Sequence, residues 1–429
     1  MTRRTVRTDV LTRVEGEGAM HVQIDGDTVE DVQLRIYEPP RFFEALLRDR
    51  HFTEVPDITA RICGICPVAY QMSSCAAMED ACGVTVDDGI RALRRLLYCG
   101  EWIESHALHV YMLHAPDFLG FASVVDMARE HRAIVEAGLR MKKAGNQLMT
   151  VIGGREIHPI NVRLGGFYRV PARSELRPLI DPLRAALDTA LETVRWTAEL
   201  SFPDFEQDYE LVALDQPGEY PIDRGRIVSN RGLDIAPAEF DDHVVEAHVE
   251  RSNALQARMR ERGSYLAGPL ARFAHGYDRL RPVARDAAAE ADAGPVCRNP
   301  FRSIVVRAVE IVHALDEAIA LIEAYEPPER PHVEVLPRAG VGHGVTEAPR
   351  GILYHRYAID DDGTILDARI VPPTSQNQVR IEEDLHAFVQ ANVDLDDGAL
   401  RHRCEQAIRN YDPCISCATH FLDLHVDRR

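Results

Sequence analysis

From Met20 to Ile36 apolar and polar residues alternate on both sides of Asp25-Gly26-Asp27, in the stretch MHVQIDGDTVEDVQLRI. A period of two on either side of a glycine-containing turn predicts a hairpin. Near the other end, GILYHRYAIDDDGTILDARIVPP has the same form and turns at Asp361-Asp362-Gly363. Between them the apolar positions recur every three or four residues, which predicts long helices over about Gly89–Leu113, Val124–Ile152, Ser174–Leu200 and Phe301–Ala324. Ser174 is the expected N-cap of the third, with Pro178 and Pro182 confined to its first turns or kinking it. Two further helices, Ile381–Val393 and Gly398–Asn410, lead to the C-terminal end. The connecting chain is rich in Gly and Pro, as in GGREIHPINVRLGGFYRVP and LDQPGEYPIDRGRIVSNRGLDIAP, and reads as irregular.

No internal repeat and no low-complexity linker interrupts the chain. The pattern predicts one α+β domain over 1–429, a bundle of long helices with small peripheral sheets and hairpins. Its parts are an N-terminal β-hairpin region at 1–36, a helical core at 89–326, a β-rich segment at 331–377, and C-terminal helices at 378–420.

The net charge of −19 argues against nucleic acid or an anionic membrane as partner, because both need a basic face. The opening MTRRTVRTDVLTRVEGEG has an arginine pair with no apolar run behind it, so no secretory signal is expected. No stretch reaches the ~20 apolar residues that span a bilayer. A cytoplasmic protein without membrane insertion is the expectation.

Nine cysteines are an odd number for a disulfide framework. Cys75, Cys82, Cys99, Cys297 and Cys404 have no paired neighbour and read as core residues. The other four form two CxxC pairs, Cys63/Cys66 in RICGICPVAY and Cys414/Cys417 in YDPCISCATH. A CxxC lets two sulfurs face one ion from a single turn, so two pairs suggest a four-thiolate metal site. Thiolate chemistry by itself names structural zinc first, with iron–sulfur and other soft centres behind it. Structural zinc, however, staples short segments, and these pairs lie 414 − 66 = 348 positions apart. A site drawing on both ends of a well-populated core looks functional.

The two pairs and the segments between them resemble the large subunit of nickel–iron hydrogenases. Arg61-Ile-Cys63-Gly-Ile-Cys66 follows the family's N-terminal motif, and Asp412 to His420 follows its C-terminal one. TRVEGEG and RFFE match ahead of the first pair, and HAPDF, GGREIHP, EAPRG and PTSQN match in order between the two. The chain departs from the pattern at Tyr70, where the family has a histidine. A tyrosine can replace that imidazole as a hydrogen-bond donor but does not titrate near neutrality.

The resemblance implies the family's fold and reversible cleavage of dihydrogen. It implies Cys63 and Cys414 as terminal nickel ligands, with Cys66 and Cys417 bridging to an iron that carries carbon monoxide and cyanide. Arg350 would hang over the open nickel–iron edge, fixed by Asp117 and Asp412. Glu15 would stand beside Cys414, the first proton acceptor, as gate of the proton route. Glu44, the Ile370 carbonyl and His420 would hold magnesium, and Pro373 and Thr374 would pack against the diatomic ligands. His158 reads as a hydrogen-bonding core residue.

Electrons would leave through a separate iron–sulfur small subunit, with flavin and NAD(P) diaphorase and further iron–sulfur subunits behind it. The NADP-linked type is the first expectation, ahead of NAD-linked and deazaflavin-reducing types. A maturation peptidase would remove the tail at 421–429. Two other readings remain, the quinone-site subunit of complex I, which shares the fold without the four cysteines, and a zinc-stapled scaffold.

Overall fold

The structure is a computed structural model that describes residues 3–419. The expectations for His420 as a magnesium ligand and for the tail at 421–429 therefore lie outside the described residues. The N-terminal hairpin forms as predicted, from Gly18–Asp25 and Thr28–Ile36. Gly26 takes the left-handed conformation (φ +59°) that the turn requires. Arg3–Thr8 adds a third antiparallel strand beside Gly18–Asp25. Along the middle strand buried and half-buried residues alternate, and Met20, Val22 and Ile24 face the core.

The helical centre is built from Asp88–Ala107, Arg132–Gly153, Ile180–Ala198 and Ser303–Ala324. Asp88–Ala107 crosses Arg132–Gly153 at Gly100 and Gly145, where a Cβ on Gly145 would stand 2.5 Å from the Gly100 carbonyl oxygen. Only glycine lets the two backbones approach this closely. After Ala107 the first helix widens into a π-helical turn, Leu108–His114, a geometry that recurs beside functional sites. The Val124–Ile152 segment is two helices, broken at His131.

The third predicted helix begins at Arg173 with Ala172 as its cap residue, so Ser174 lies inside the first turn. The Glu175 carboxylate accepts the Ala172 N–H at 2.8 Å, doing from inside the helix what Ser174 was expected to do from outside. Pro178 falls in a 3₁₀ turn, Arg177–Leu179, and Pro182 in the first turn of Ile180–Ala198, where no N–H is missed.

Three features run against the hydrophobic pattern. Pro67–Cys82 is a helix with thirteen of its sixteen residues buried, so it has no polar face and no stripe to detect. The helix expected from Ile381 starts at Pro373, because PTSQNQV is largely polar yet buried and pairs most of its amide groups internally. The Asn377 carboxamide bonds the backbone of Ala267 in both directions, and Gln376 donates to the Ile352 carbonyl. The span 89–326 is not helical throughout, since its middle carries a four-stranded sheet from Leu211–Asp215, Arg226–Ser229, Asp234–Ile235 and Leu266–Ala267. Strands of two to five residues between Gly and Pro are too short to show a period.

The second predicted hairpin forms from Gly351–Ile359 and Ile365–Val371, joined by Gly340–Ala348 on its other edge. This sheet lies against Pro67–Cys82, whose backbone fits over Gly342 and Gly344. A methyl group on Gly344 would collide with the Ser73 carbonyl and meet the Ala77 nitrogen at 2.6 Å. Because both neighbours are helix backbone, Gly344→Ala is expected to cost about 1–3 kcal/mol of stability. Chemical denaturation measures it, and an unchanged midpoint would contradict the close packing.

Candidate metal centre

The two CxxC pairs meet. The Cys63, Cys66, Cys414 and Cys417 sulfurs all lie within 4.8 Å of one another, and all four residues are buried. Cys63 Sγ stands 3.4 Å from Cys414 Sγ, and Cys66 Sγ 3.6 Å from Cys417 Sγ. Metal–thiolate bonds of ~2.3 Å in a tetrahedral set give sulfur–sulfur edges of about 3.8 Å, so the spacing suits thiolate ligation. Cys414 and Cys417 are closer still, at 2.8 Å.

Each pair is placed by its element. Cys63 leaves a 3₁₀ turn, Ala60–Ile62, in extended conformation, and its sulfur accepts the N–H groups of Ile65 (3.3 Å) and Cys66 (3.4 Å). Cys66 caps the Pro67–Cys82 helix, with Pro67 at the first helical position, where a missing N–H costs nothing. Gly64 is not needed for the bend, because its φ is ordinary and a Cβ there would touch only Ile157, at 4.0 Å. On the other side the Cys414 N–H donates to Thr374 Oγ1 at 2.9 Å, and Pro373 starts the helix that presents this hydroxyl.

Sequence reasoning missed two residues that bring the pairs together. The Glu101 carboxylate, fully buried, accepts the N–H groups of Val68 (2.6 Å) and Ala69 (3.1 Å) and so caps the helix that follows Cys66. The Arg41 guanidinium donates to the Ile62 carbonyl at 2.6 Å and the Ser416 carbonyl at 2.5 Å. These carbonyls each precede a cysteine by one residue, so one side chain clasps both segments. RFFE contained Arg41, but nothing in the motif said what it would hold.

Glu15 stands beside Cys414, as the resemblance implied. Its Oε2 lies 3.0 Å from Cys414 Sγ and accepts the Ser416 N–H at 3.0 Å, while its carbonyl accepts the Ile415 N–H at 2.9 Å. Gly16 makes room, since a Cβ there, at φ +89°, would stand 2.7 Å from the Ile415 Cβ. Burial, and next the charge of Cys63, pushes the Glu15 carboxyl up. Burial likewise pushes Cys414 up, whereas hydrogen bonds from its three neighbours, Cys414 first, pull Cys63 down.

Arg350 is buried beside the cluster. Its Nε donates to the Asp412 carbonyl at 2.8 Å and its Nη2 to Asp412 Oδ1 at 3.1 Å, while Nη1 has no partner. Burial pulls the guanidinium down, but Asp412 and the cluster thiolates outweigh it and hold Arg350 permanently charged. An unsatisfied N–H and a fixed positive charge against four thiols are what a further electron-rich group there would require.

Asp117 does not hold Arg350. Its Oδ1 instead binds Arg13 Nη2 at 2.5 Å and Arg409 Nη1 at 2.9 Å. The two arginines reach it from the N-terminal segment and from the helix before the second cysteine pair, and saturate that oxygen. Glu44 and Ile370 do meet, but through the Ile370 N–H, which donates to Glu44 Oε1 at 2.7 Å. Burial pushes Glu44 up to about 7. Tyr70 is fully buried against the same cluster, and burial, then the Cys417 charge, keeps its phenol protonated. His158 bonds the Ala60 carbonyl through Nδ1 at 2.6 Å, as a hydrogen-bonding residue, but it is half-buried rather than in the core.

The Asp117 contacts carry a prediction. Removing the carboxylate takes from Arg13 its ion-pair partner and from Arg409 one of two, Glu405 being the other, and the two side chains are only 11% and 1% exposed. Asp117→Ala is therefore expected to cost about 3–5 kcal/mol in chemical denaturation. A cost of a few tenths would show that the two arginines find other partners.

A family model described as nickel-dependent hydrogenase matches residues 41–137 and 284–420. The chain is similar to sulfhydrogenase 1 subunit alpha of Pyrococcus furiosus, with 34% identity over 97% of this chain and 98% of the relative. It is also similar to the beta subunit of the NAD-reducing hydrogenase of Cupriavidus necator, with 29% identity over 96% and 94% of the two. The crystal structure of an NAD+-reducing [NiFe]-hydrogenase in the H2-reduced state superposes with a TM-score of 0.85 at 28% identity, covering 97% of this chain and 99% of that one. With two cysteine pairs converging on one buried point inside this fold, the chain belongs to the nickel-dependent hydrogenase family, as its large, catalytic subunit.

Proposed function

We propose that this subunit holds nickel through Cys63 and Cys414 and shares Cys66 and Cys417 between nickel and an iron that carries carbon monoxide and cyanide. The observation that carries the reading is the convergence of the four sulfurs with Glu15 on one side and Arg350 on the other. A nickel–iron centre held there would supply heterolytic cleavage of dihydrogen, keeping the electron pair and leaving a proton for the protein to take. Cys414 Sγ accepts that proton, because a terminal thiolate is more basic than one shared by two metals. Glu15 Oε2, 3.0 Å away, takes it next, and its raised affinity lets it hold the proton before passing it outward.

Arg350 keeps a planar, permanently charged fork at the cluster, with Asp412 fixing two of its nitrogens and the third donor left for the reacting side. Thr374 and Pro373 would pack against the diatomic ligands. Glu44, the Ile370 backbone and His420 would hold magnesium, whose preference for oxygen ligands and ordered water suits a buried carboxylate and a carbonyl. Burial of the four thiols excludes bulk water from the reacting atoms.

The chain has no cysteine cluster beyond this site to carry electrons onward. An iron–sulfur small subunit is therefore the electron partner, in a hetero-oligomer with a flavin-containing diaphorase and further iron–sulfur subunits. NAD(P) is the acceptor class, a reading that a relative named for NAD reduction supports, and within that class NADP is our first choice. A cytoplasmic location agrees with the described residues, among which no helix is long and apolar enough to cross a membrane. A maturation peptidase would cut after His420.

Two substitutions test the roles. Glu15→Gln keeps the shape but cannot accept the proton, and is expected to slow hydrogen–deuterium exchange by about 10²-fold or more with nickel and iron retained. Mass spectrometry of the exchanged gas measures it, and an unchanged rate would move the proton exit elsewhere. Arg350→Lys keeps a charge and loses the fork, and is expected to lower turnover by about 10²–10³-fold. Near-normal turnover would remove Arg350 from the reaction.

A further inference from the structure

The proposed function brings a proton as far as Glu15 Oε2, and the groups around that carboxylate show where it goes next. Ser416 stands between Glu15 and a second carboxylate, Glu38. Its N–H donates to Glu15 Oε2 at 3.0 Å, and its hydroxyl reaches the same carboxylate and favours the charged form. The hydroxyl also donates to Glu38 Oε1 at 2.6 Å. Ser416 is 8% exposed and the Glu38 side chain 14%, so the hydroxyl is shut in while the Glu38 carboxylate keeps an edge at the surface.

Glu38 is held in place on several sides. The Glu17 N–H donates to its Oε2 at 3.2 Å, and Gly16 leaves the room, since a Cβ there would stand 2.5 Å from that oxygen. Arg41 Nε lies 4.0 Å from its Oε1. The backbone is fixed as well, because Asn253 Nδ2 donates to the Tyr37 and Glu38 carbonyls, at 3.2 Å each, and Pro39 disfavours helical backbone at Glu38. A serine hydroxyl can donate to one carboxylate and offer its lone pairs to another. A one-residue proton relay needs that pair of contacts.

We propose that Ser416 and Glu38 carry the proton from Glu15 to the surface. Protonated Glu15 gives its proton to Ser416 Oγ while the serine's own proton passes to Glu38 Oε1. One O–H bond breaks and one forms at each transfer, no electrons move, and rotation of the hydroxyl restores the serine. Glu38 then releases the proton to water. The relay rests on the proposed role of Glu15 and extends it, since both residues act through Glu15 rather than on the metals.

A crystal structure of the metal-loaded enzyme with its partner subunits tests the geometry without turnover. Ser416 Oγ is expected within ~3.2 Å of a Glu15 oxygen and a Glu38 oxygen at once, with water against Glu38. A hydroxyl bonded elsewhere, or a partner that seals Glu38 from water, overturns the route. Ser416→Val and Ser416→Thr have the same shape and differ in the hydroxyl. In the complete enzyme Val is expected to slow hydrogen–deuterium exchange about tenfold, at unchanged metal content and nickel paramagnetic resonance, and Thr to restore it. Exchange at the wild-type rate in the Val variant would mean that Glu15 discharges directly to water. Should the Val variant fail to load metal, Glu38→Ala decides. Its exchange is expected to fall as far and to recover in acetate buffer at the same pH, because a free carboxylate fills the gap. Undiminished exchange there, or slow exchange that acetate leaves unchanged, would reduce Glu38 to a structural support and end the proposal. A wild-type enzyme without nickel and iron would instead overturn the proposed function, leaving the hydrogen-bonded chain from Glu15 to Glu38 to the crystal structure.

Discussion

Four thiols packed within 4.8 Å of one another and shut away from water are an unstable arrangement by themselves. Deprotonated, they repel one another across a medium of low dielectric constant, and protonated they are weak nucleophiles and poor ligands. The arrangement becomes sensible once positive charge is placed among them. Arg350 supplies one fixed charge from the protein, and bound metal ions supply the rest. Much of the surrounding architecture can be understood as keeping four mutually repelling groups at one point until the cations that need them arrive.

That task falls to contacts from widely separated parts of the chain. Glu101 caps the helix after Cys66, Arg41 clasps the carbonyls before Cys63 and Cys417, and the N-terminal Glu15 pairs with the backbone after Cys414. Thr374 anchors the Cys414 amide. None of these contacts is local, so the site assembles only when the N-terminal sheet, the helical core and the C-terminal turn have docked. The glycine crossings at Gly100/Gly145 and Gly342/Gly344 serve the same end, because they bring the helices that carry Glu101 and Cys66 close to their neighbours.

Both hairpins were legible in the sequence because each turns at a glycine between β-prone runs, and the first also has a half-buried face that leaves a period of two, whereas Gly351–Ile359 is buried almost throughout. The cysteine pairs were legible because a CxxC is a local geometric device, and Glu15 because its motif fixes the glycine that lets its backbone approach. Pro67–Cys82 was not, since a helix buried on every side has no polar phase to mark it. The short strands between Leu211 and Ala267 were hidden by their length. Asp117 was legible as a charged residue of the site and illegible in its partners, because the choice among Arg13, Arg350 and Arg409 is made by tertiary geometry that no motif encodes.

On the proposed function the four sulfurs hold a nickel–iron pair rather than a single closed ion. X-ray absorption at the nickel edge, with metal analysis on the same purified sample, tests it most directly. Nickel and iron at about one each are expected, with nickel surrounded mainly by sulfur at roughly 2.2–2.3 Å and a metal neighbour beyond that shell. Zinc alone in the sample, or nickel in a shell of nitrogen and oxygen, would contradict it.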